Sequence, residues 1–324
     1  MAVMTYRDAI AATLAEEMAR DDRVFVLGED IAPSGAFKTT AGLADRFGVE
    51  RVRNTPISEQ AILGAAVGAA MTGMRPVAEI MFGDFLGVCW DFIANQIPAL
   101  RYSTGGQLAV PLVIKSSTGA GIGFASHHSH AVESWVMAVP GIKIAVPSGP
   151  GEYKGLMTAA IRDPDPVIVL DLKAQYPVKG EVPDGEYVIP LGQASVVQRG
   201  ADVTLIALGS TVRTCVEAAE KLEEEAIAAT VIDLRCLVPL DAATVLGEVA
   251  TTGRAVIVEE GPEQLGWGTT VASILADEAF DHLRAPVRRL CSANVPTPYA
   301  GALESAAQVS VDAVVDAARK SVRR

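Results

Sequence analysis

The sequence predicts an α/β protein built as two doubly wound domains, and three observations carry that reading. Short apolar runs alternate with longer helix-forming stretches in both halves, the pattern of parallel sheets covered on both faces. The chain has 324 residues, more than one hydrophobic core ordinarily serves. Between the halves, residues 173–192 carry Pro177, Pro183 and Pro190 among charged residues, without periodicity, as a linker does. The first domain is therefore expected over residues 1–180 and the second over 181–324.

In chain order, Thr5 caps a helix that runs to Arg20, with Asp8 at the weak capping-box position. Residues 24–27 read as a strand ending in Gly28-Glu29-Asp30, and residues 31–40 as loop. Thr55-Pro56 makes a turn, because proline fixes its own φ and biases the preceding residue away from the helical region. Ser58 then stands at the N-cap of a helix to Gly73. That helix is almost all Ala, Gly, Val, Ile and Leu, so it is predicted to be buried on every side. A strand over 76–80, a long helix over 84–102 and a strand over 110–115 follow. After the glycine loop at 119–123 come Ser126-His-His-Ser-His130 and a helix to about Ala138. The first half closes with strand 143–146, helix 151–162 and strand 166–172. In the second half, strands are expected at 203–208, 229–234, 255–258 and 287–290, and helices at 211–225, 241–250, 267–280 and 309–322.

Composition narrows the function. A formal net charge of -12 argues against nucleic acid, which needs a basic patch, and suits a basic protein partner. No apolar run approaches a membrane span. The first residues are amphipathic and acidic, without the basic start and apolar core of a signal peptide, so a cytoplasmic location is expected. Cys89, Cys215, Cys236 and Cys291 lie far apart and form no CxxC, which reads as buried thiols.

Candidate chemistry centres on two stretches. Glu59 sits in the first turn of an apolar helix, where the dipole favours an acid; it reads either as a helix-start glutamate or as a carboxylate that does chemistry. The glycine loop has GxGxG spacing and no acidic residue closing a following strand, so it fits a flexible loop beside a site better than a dinucleotide fingerprint. The histidines of 126–130 read as surface residues, as a zinc site lacking a full ligand set, or as carrying a proton-transferring group. Asp163 and Asp165, each beside a proline, read as turn residues or part of a cation site. No GxSxG, HExxH or GxxxxGK[ST] motif is present.

Several stretches together carry a family resemblance: Thr55-Pro-Ile-Ser-Glu59, Gly64-Ala-Ala-Val-Gly-Ala-Ala70, Arg75-Pro-Val-Ala-Glu79, Arg101-Tyr102, His128-Ser129, Pro140-Gly141, Lys154-Gly-Leu156, Ile161-Arg-Asp163 and Pro296-Thr-Pro298. In this order the chain resembles the beta subunit of the thiamine-diphosphate-dependent decarboxylating component of 2-oxo acid dehydrogenase complexes, of pyruvate, branched-chain or acetoin type. The resemblance implies a transketolase-like pyrimidine-binding domain followed by a transketolase C-terminal domain. It implies an α2β2 assembly, with cofactor sites shared with an alpha subunit. The partners would be that subunit, a lipoyl acyltransferase core and a 2-oxo acid. Glu59 would bond the aminopyrimidine ring nitrogen, with Ile57, Met81 and Phe85 around the ring, and His128 would stand over the reacting carbon. Leu112, Ala160, Ile161, Asp163 and Asp165 would hold a potassium ion. His127, His130, Leu100, Phe92 and Asp165 depart from the common pattern of such chains. No Gly-Asp-Gly with a following asparagine is present, so the Mg2+ that offsets the diphosphate falls to the alpha subunit. The other readings are the C-terminal half of a split transketolase or deoxyxylulose-phosphate synthase, and a non-catalytic scaffold subunit.

Overall fold

Strands buried on both faces need apolar residues at nearly every position, and both halves of the chain supply them. In the computed structural model, which describes residues 1–323, the elements run β1 (Ala2–Thr5), α1 (Tyr6–Arg20), β2 (Val24–Gly28), α2 (Leu43–Phe47), β3 (Val52–Asn54), α3 (Glu59–Met71) and β4 (Arg75–Phe82). They continue with α4 (Ile97–Ser103), β5 (Val113–Thr118), α5 (Glu133–Met137), β6 (Lys143–Ala145), α6 (Pro150–Arg162), β7 (Val167–Leu172) and β8 (Lys179–Val182). The remainder is β9 (Ser195–Gln198), β10 (Val203–Ala207), α7 (Ser210–Glu223), β11 (Ala229–Asp233), β12 (Cys236–Val238), α8 (Ala242–Thr252), β13 (Ala255–Pro262), α9 (Trp267–Glu278), β14 (Arg288–Ser292), α10 (Gly301–Ala307) and α11 (Val311–Val322).

Two compact units result. The first holds residues 1–118 and 135–191, the second residues 119–134 and 192–324. In the first, β6, β7, β5, β4, β2 and β3 neighbour one another in that order, all parallel, and β1 pairs antiparallel with β8. In the second, the order is β14, β13, β10, β11 and β9, parallel except for β9. Its core packs Leu205, Val231, Val256 and Val258 against Cys215 and Leu222 of α7 and Val314 and Ala318 of α11.

Local chemistry explains where the expectations hold and where they give way. Thr5 caps α1, its hydroxyl accepting from the Asp8 N–H at 3.1 Å. Ser58 occupies the N-cap of α3 but its side chain makes no capping bond. α3 buries one face only: Ile62, Leu63, Ala66, Val67 and Ala70 are inside, while Gln60, Ala61, Ala65, Gly68 and Met71 are exposed. The helix expected over 84–102 is instead a 3-10 turn (Gly83–Gly87), a π turn (Phe92–Gln96) and then α4. Pro98 gives the reason. It cannot donate to the carbonyl four residues back and its ring crowds that carbonyl, so the preceding turn widens and the Ile97 N–H reaches Phe92.

The proline-rich stretch is more ordered than a linker. It contains β8, and the Ile189 N–H donates to the Gly155 carbonyl of α6 at 3.1 Å. A Cβ on Gly155 would come within 2.4 Å of the Ile189 side chain, so the close approach needs glycine. Residues 181–191, assigned from sequence to the second domain, therefore cluster with the first, and residues 119–134 cluster with the second.

At the centre of the first sheet, Lys115 of β5 bridges Glu79 of β4 at 3.1 Å and Asp171 of β7 at 3.0 Å, with all three side chains buried. Replacing Lys115 with Met strands two buried carboxylates. The expected cost is about 3–5 kcal/mol in urea unfolding, because an uncompensated buried charge outweighs any gain in packing. Adding Glu79→Gln and Asp171→Asn to that variant should recover part of the loss.

Candidate active site

In the first unit, the connection leaving β2 leads to β3 on one side, and β4 lies on the other. Such reversals of strand order open a crevice at the carboxyl ends of the strands, where α/β proteins bind ligands. β2 and β4 approach closely here, since a Cβ on Gly28 would lie 2.7 Å from the Glu79 carbonyl oxygen. Glu29 follows β2 directly. Asn54, at the end of β3, steadies the next residues: its side-chain oxygen accepts from the Ile31 and Ala32 N–H groups, each at 2.9 Å. Pro56 then turns the chain into α3, and Glu59 is its first residue.

Glu59 is 8% exposed, and its carboxylate has no hydrogen-bond or ion-pair partner among the described residues. Its charge is felt by two neighbours. Burial, then Glu59, then Asp30 and Glu79 raise the Glu29 carboxyl above its usual range. Burial and then Glu59 push the Cys89 thiol up to about 12. Glu29 also has a buried Oε2 with no hydrogen-bond partner among the described residues. Phe85 stands edge-on to Phe82, with centroids 5.5 Å apart and planes at 79°. Met81 is half-buried, its carbonyl accepting from the Ser117 hydroxyl at 2.6 Å, and Ile57 is 78% exposed. Ile57, Glu59, Met81 and Phe85 thus all belong to the first unit, Glu59 opening α3 and the other two buried or half-buried groups lying at or just beyond the carboxyl end of β4. Glu29 was not singled out from sequence; an acid immediately after a buried strand was its visible signal.

His128 belongs to the second unit. It is half-buried beside Phe124, with ring centroids 6.4 Å apart, while His127 is exposed with its Nδ1 3.3 Å from the Ser126 hydroxyl. The Gly119 N–H donates to the His130 carbonyl at 3.2 Å, closing the glycine loop onto the histidine segment. Among the described residues, no group of three His, Cys, Asp or Glu side chains is placed to hold a metal ion.

The residues expected around potassium gather at the opposite, amino-terminal edge of the first sheet, and protein donors already reach them. Arg75 Nη1 donates to the Ile161 carbonyl at 2.8 Å and the Asp163 carbonyl at 3.1 Å. Lys143 holds the Asp163 carboxylate at 2.7 and 2.8 Å, and Arg101 pairs with Asp165. The Leu112 carbonyl accepts from the Val167 N–H at 3.0 Å and that of Ala160 from Asp163 at 3.3 Å. The oxygens suit a hard cation in type, but Arg75, Lys143 and Arg101 already balance their charge.

Comparison with known proteins decides the family. The family described as transketolase, pyrimidine binding domain matches residues 2–179, and transketolase, C-terminal domain matches residues 192–314. The chain is 42% identical to a 2-oxoisovalerate dehydrogenase subunit beta of Bacillus subtilis, over 99% of each chain. It is 40% identical to a mitochondrial pyruvate dehydrogenase E1 component subunit beta of Dictyostelium discoideum, over 99% of this chain and 92% of that one. The chain belongs to the 2-oxo acid dehydrogenase beta subunits. A further relative of this beta subunit is the acetoin:2,6-dichlorophenolindophenol oxidoreductase subunit beta of Bacillus subtilis, 40% identical over 97% of this chain and 95% of that one. Among solved structures, a split gene transketolase, an inactive beta4 tetramer, superposes with a TM-score of 0.82 at 27% identity, over 99% of this chain and 98% of that one.

A beta subunit of this family is expected to take the aminopyrimidine end of thiamine diphosphate, and the residues present fit it. Glu59 has no hydrogen-bond or ion-pair partner among the described residues, so its carboxylate is free to accept from a protonated ring nitrogen.

Glu29 gives a pH test of this crevice. Its folded-state pKa is raised, so the native chain binds a proton that the unfolded chain releases earlier. The stability it confers is complete below the unfolded pKa and is lost as pH rises through the folded value. Glu29→Gln should therefore raise the Tm at pH 8 and change it little at pH 4, as read by thermal melts across that range.

Proposed function

We propose that this chain is the beta half of a decarboxylating 2-oxo acid dehydrogenase. With an alpha subunit in an α2β2 assembly, it would cleave a 2-oxo acid (or acetoin) and acylate the lipoyl group of an acyltransferase core. The observation that carries the reading is the largely buried Glu59, which opens α3 and has no hydrogen-bond or ion-pair partner among the described residues. The 40–42% identity to pyruvate, 2-oxoisovalerate and acetoin beta subunits, against 27% to a split gene transketolase, favours the dehydrogenase class over sugar-phosphate transfer. A non-catalytic scaffold has no use for an unpartnered carboxylate at that position.

Thiamine diphosphate, when bound, supplies the electron sink for cleaving the bond next to the carbonyl. The chain's own residues would do the rest on this side of the site. Glu59 would accept from the pyrimidine nitrogen in its protonated form and so favour the imino tautomer of the ring. Phe85, Met81 and Ile57 give it an apolar seat. His128 holds a proton for the reacting carbon and meets the incoming lipoyl group, a role for which imidazole is suited near neutral pH. The alpha subunit would hold Mg2+ and the diphosphate. The exposed small-residue face of α3, with Ala61, Ala65 and Gly68, lets another chain pack closely. Potassium at Leu112, Ala160, Ile161, Asp163 and Asp165 would share oxygens with Arg75 and Lys143. A cytoplasmic location belongs to the same reading.

Three measurements test it. The isolated chain should bind thiamine diphosphate with Mg2+ no tighter than about millimolar, since ring contacts alone must offset the cost of immobilising the cofactor. Adding the alpha chain should bring micromolar binding that Glu59→Ala abolishes, whereas micromolar binding and decarboxylation by the chain alone would sink the half-site reading. His128→Ala should slow lipoyl acylation by roughly 100-fold or more while leaving cofactor affinity within a few fold, consistent with loss of a general acid. Finally, a basic domain of the acyltransferase should dock on this acidic chain in a salt-sensitive way, because exposed charges are screened within about 10 Å at 0.1 M salt. Equal affinity in calorimetry at low and high salt would count against that docking.

A further inference from the structure

The glycine loop ahead of the histidines presents its main-chain N–H groups to two carboxylates of the second unit. Gly119, Gly121 and Gly123 all have positive φ, at +83°, +105° and +73°. Left-handed residues in such a run turn successive N–H groups to one side, a concavity that in other proteins takes a phosphate. Here Glu304 of α10 fills it: its Oε1 accepts from the Gly121 N–H at 2.8 Å and its Oε2 from the Gly123 N–H at 3.1 Å. Glu304 is 4% exposed. Glu260 of β13 accepts from the Ala120 N–H at 2.6 Å through Oε1, and the Ser210 hydroxyl donates to its Oε2. The positive φ of Gly119 favours glycine there, and a Cβ would lie 2.7 Å from the Glu260 carboxylate and push it aside.

The loop is tied directly to the histidine segment. Gly119 is hydrogen-bonded to the His130 carbonyl, and Phe124, one residue past Gly123, packs beside His128. Between 119 and 132 the only regular structure is the 3-10 turn Ala125–His127. Charge-assisted bonds to main-chain N–H groups are about twice as strong as neutral ones, and a carboxylate that accepts two of them fixes direction as well as distance.

We propose that Glu260 and Glu304 are positioning residues for His128: they clamp the glycine loop and so set where the imidazole stands. This rests on the proton-handling role proposed for His128, and the test separates the two.

The test uses the assembled alpha–beta enzyme carrying Glu304→Gln, His128→Ala or both. Glu304→Gln keeps the shape of the side chain but removes its charge and one acceptor. Expected are a fall in kcat for lipoyl acylation of ten-fold or more, a cofactor Kd within two-fold of the parent, and amide exchange of residues 119–130 at least ten-fold faster with the β10 peptide unchanged. In the His128→Ala background, Glu304→Gln should add nothing to the loss. An unchanged kcat with a protected loop overturns the proposal, and so does an equal loss in both backgrounds. A normal rate in His128→Ala alone rejects the role of the histidine, while the exchange data still decide whether the carboxylates clamp the loop. If Glu304→Gln does not assemble, Glu260→Gln carries the same comparison through the Ala120 bond.

Discussion

The first unit depends on one constraint: a lysine and two carboxylates have left water together. Lys115 lies opposite Glu79 in the β4–β5 register and reaches Asp171 on β7. Burial alone would pull the Lys115 ammonium down; Asp171 and Glu79 together hold it above its ordinary value. Burial in turn raises the Glu79 carboxyl. A slip of one residue in any of the three strands would turn a charge to the other face of the sheet and leave its partners alone in an apolar interior, so the register is fixed by electrostatics as much as by packing. The Tyr176 hydroxyl donates to Asp171 at 2.5 Å, and Tyr6 of α1 stacks on Tyr176 with centroids 6.3 Å apart, which ties the first helix to the same point. Met81, Phe82 and the turn bearing Phe85 sit where they do because β4 is pinned a few residues earlier.

Carboxylates in this chain meet the cost of burial in different ways. Glu79 and Asp171 share a cation and are structural. Glu259, fully buried, pairs with Arg289 and accepts from the Gly268 N–H at 3.0 Å and the Cys291 thiol at 3.1 Å, holding the start of α9 against β13 and β14. Glu29 does neither: its Oε2 is buried without a hydrogen-bond partner among the described residues, near enough to Glu59 to feel its charge. A buried carboxyl oxygen without a partner costs stability, and such groups are candidates for contact with a ligand.

The alternation of strand and helix was legible because the central strands are continuous apolar runs and the longer helices have ordinary lengths. What escaped was short or marginal: β1, β9, β12 and α10 lack periodicity over their few residues. The break before α4 followed from a proline that was visible but not weighed. The exposed face of α3 escaped for a different reason. Small apolar residues look alike whether their own chain covers them or another chain is to do so. Glu59 was visible through its place at a helix start, with its role supplied by family resemblance. The one signal for Glu29 was its place directly after a buried strand, and Glu260 and Glu304 carried no local signal, since their partners lie 140 and about 180 residues away in sequence.

The second unit is not a continuous piece of chain. Its glycine and histidine segment is encoded between β5 and β6, far upstream of the strand and helix that supply Glu260 and Glu304. A gene rearrangement that exchanged the second half for that of another protein would bring new carboxylates to an old loop. The two halves of this gene are therefore bound to evolve as a pair, and a boundary that is convenient for classifying sequences is not one at which the protein can be recombined.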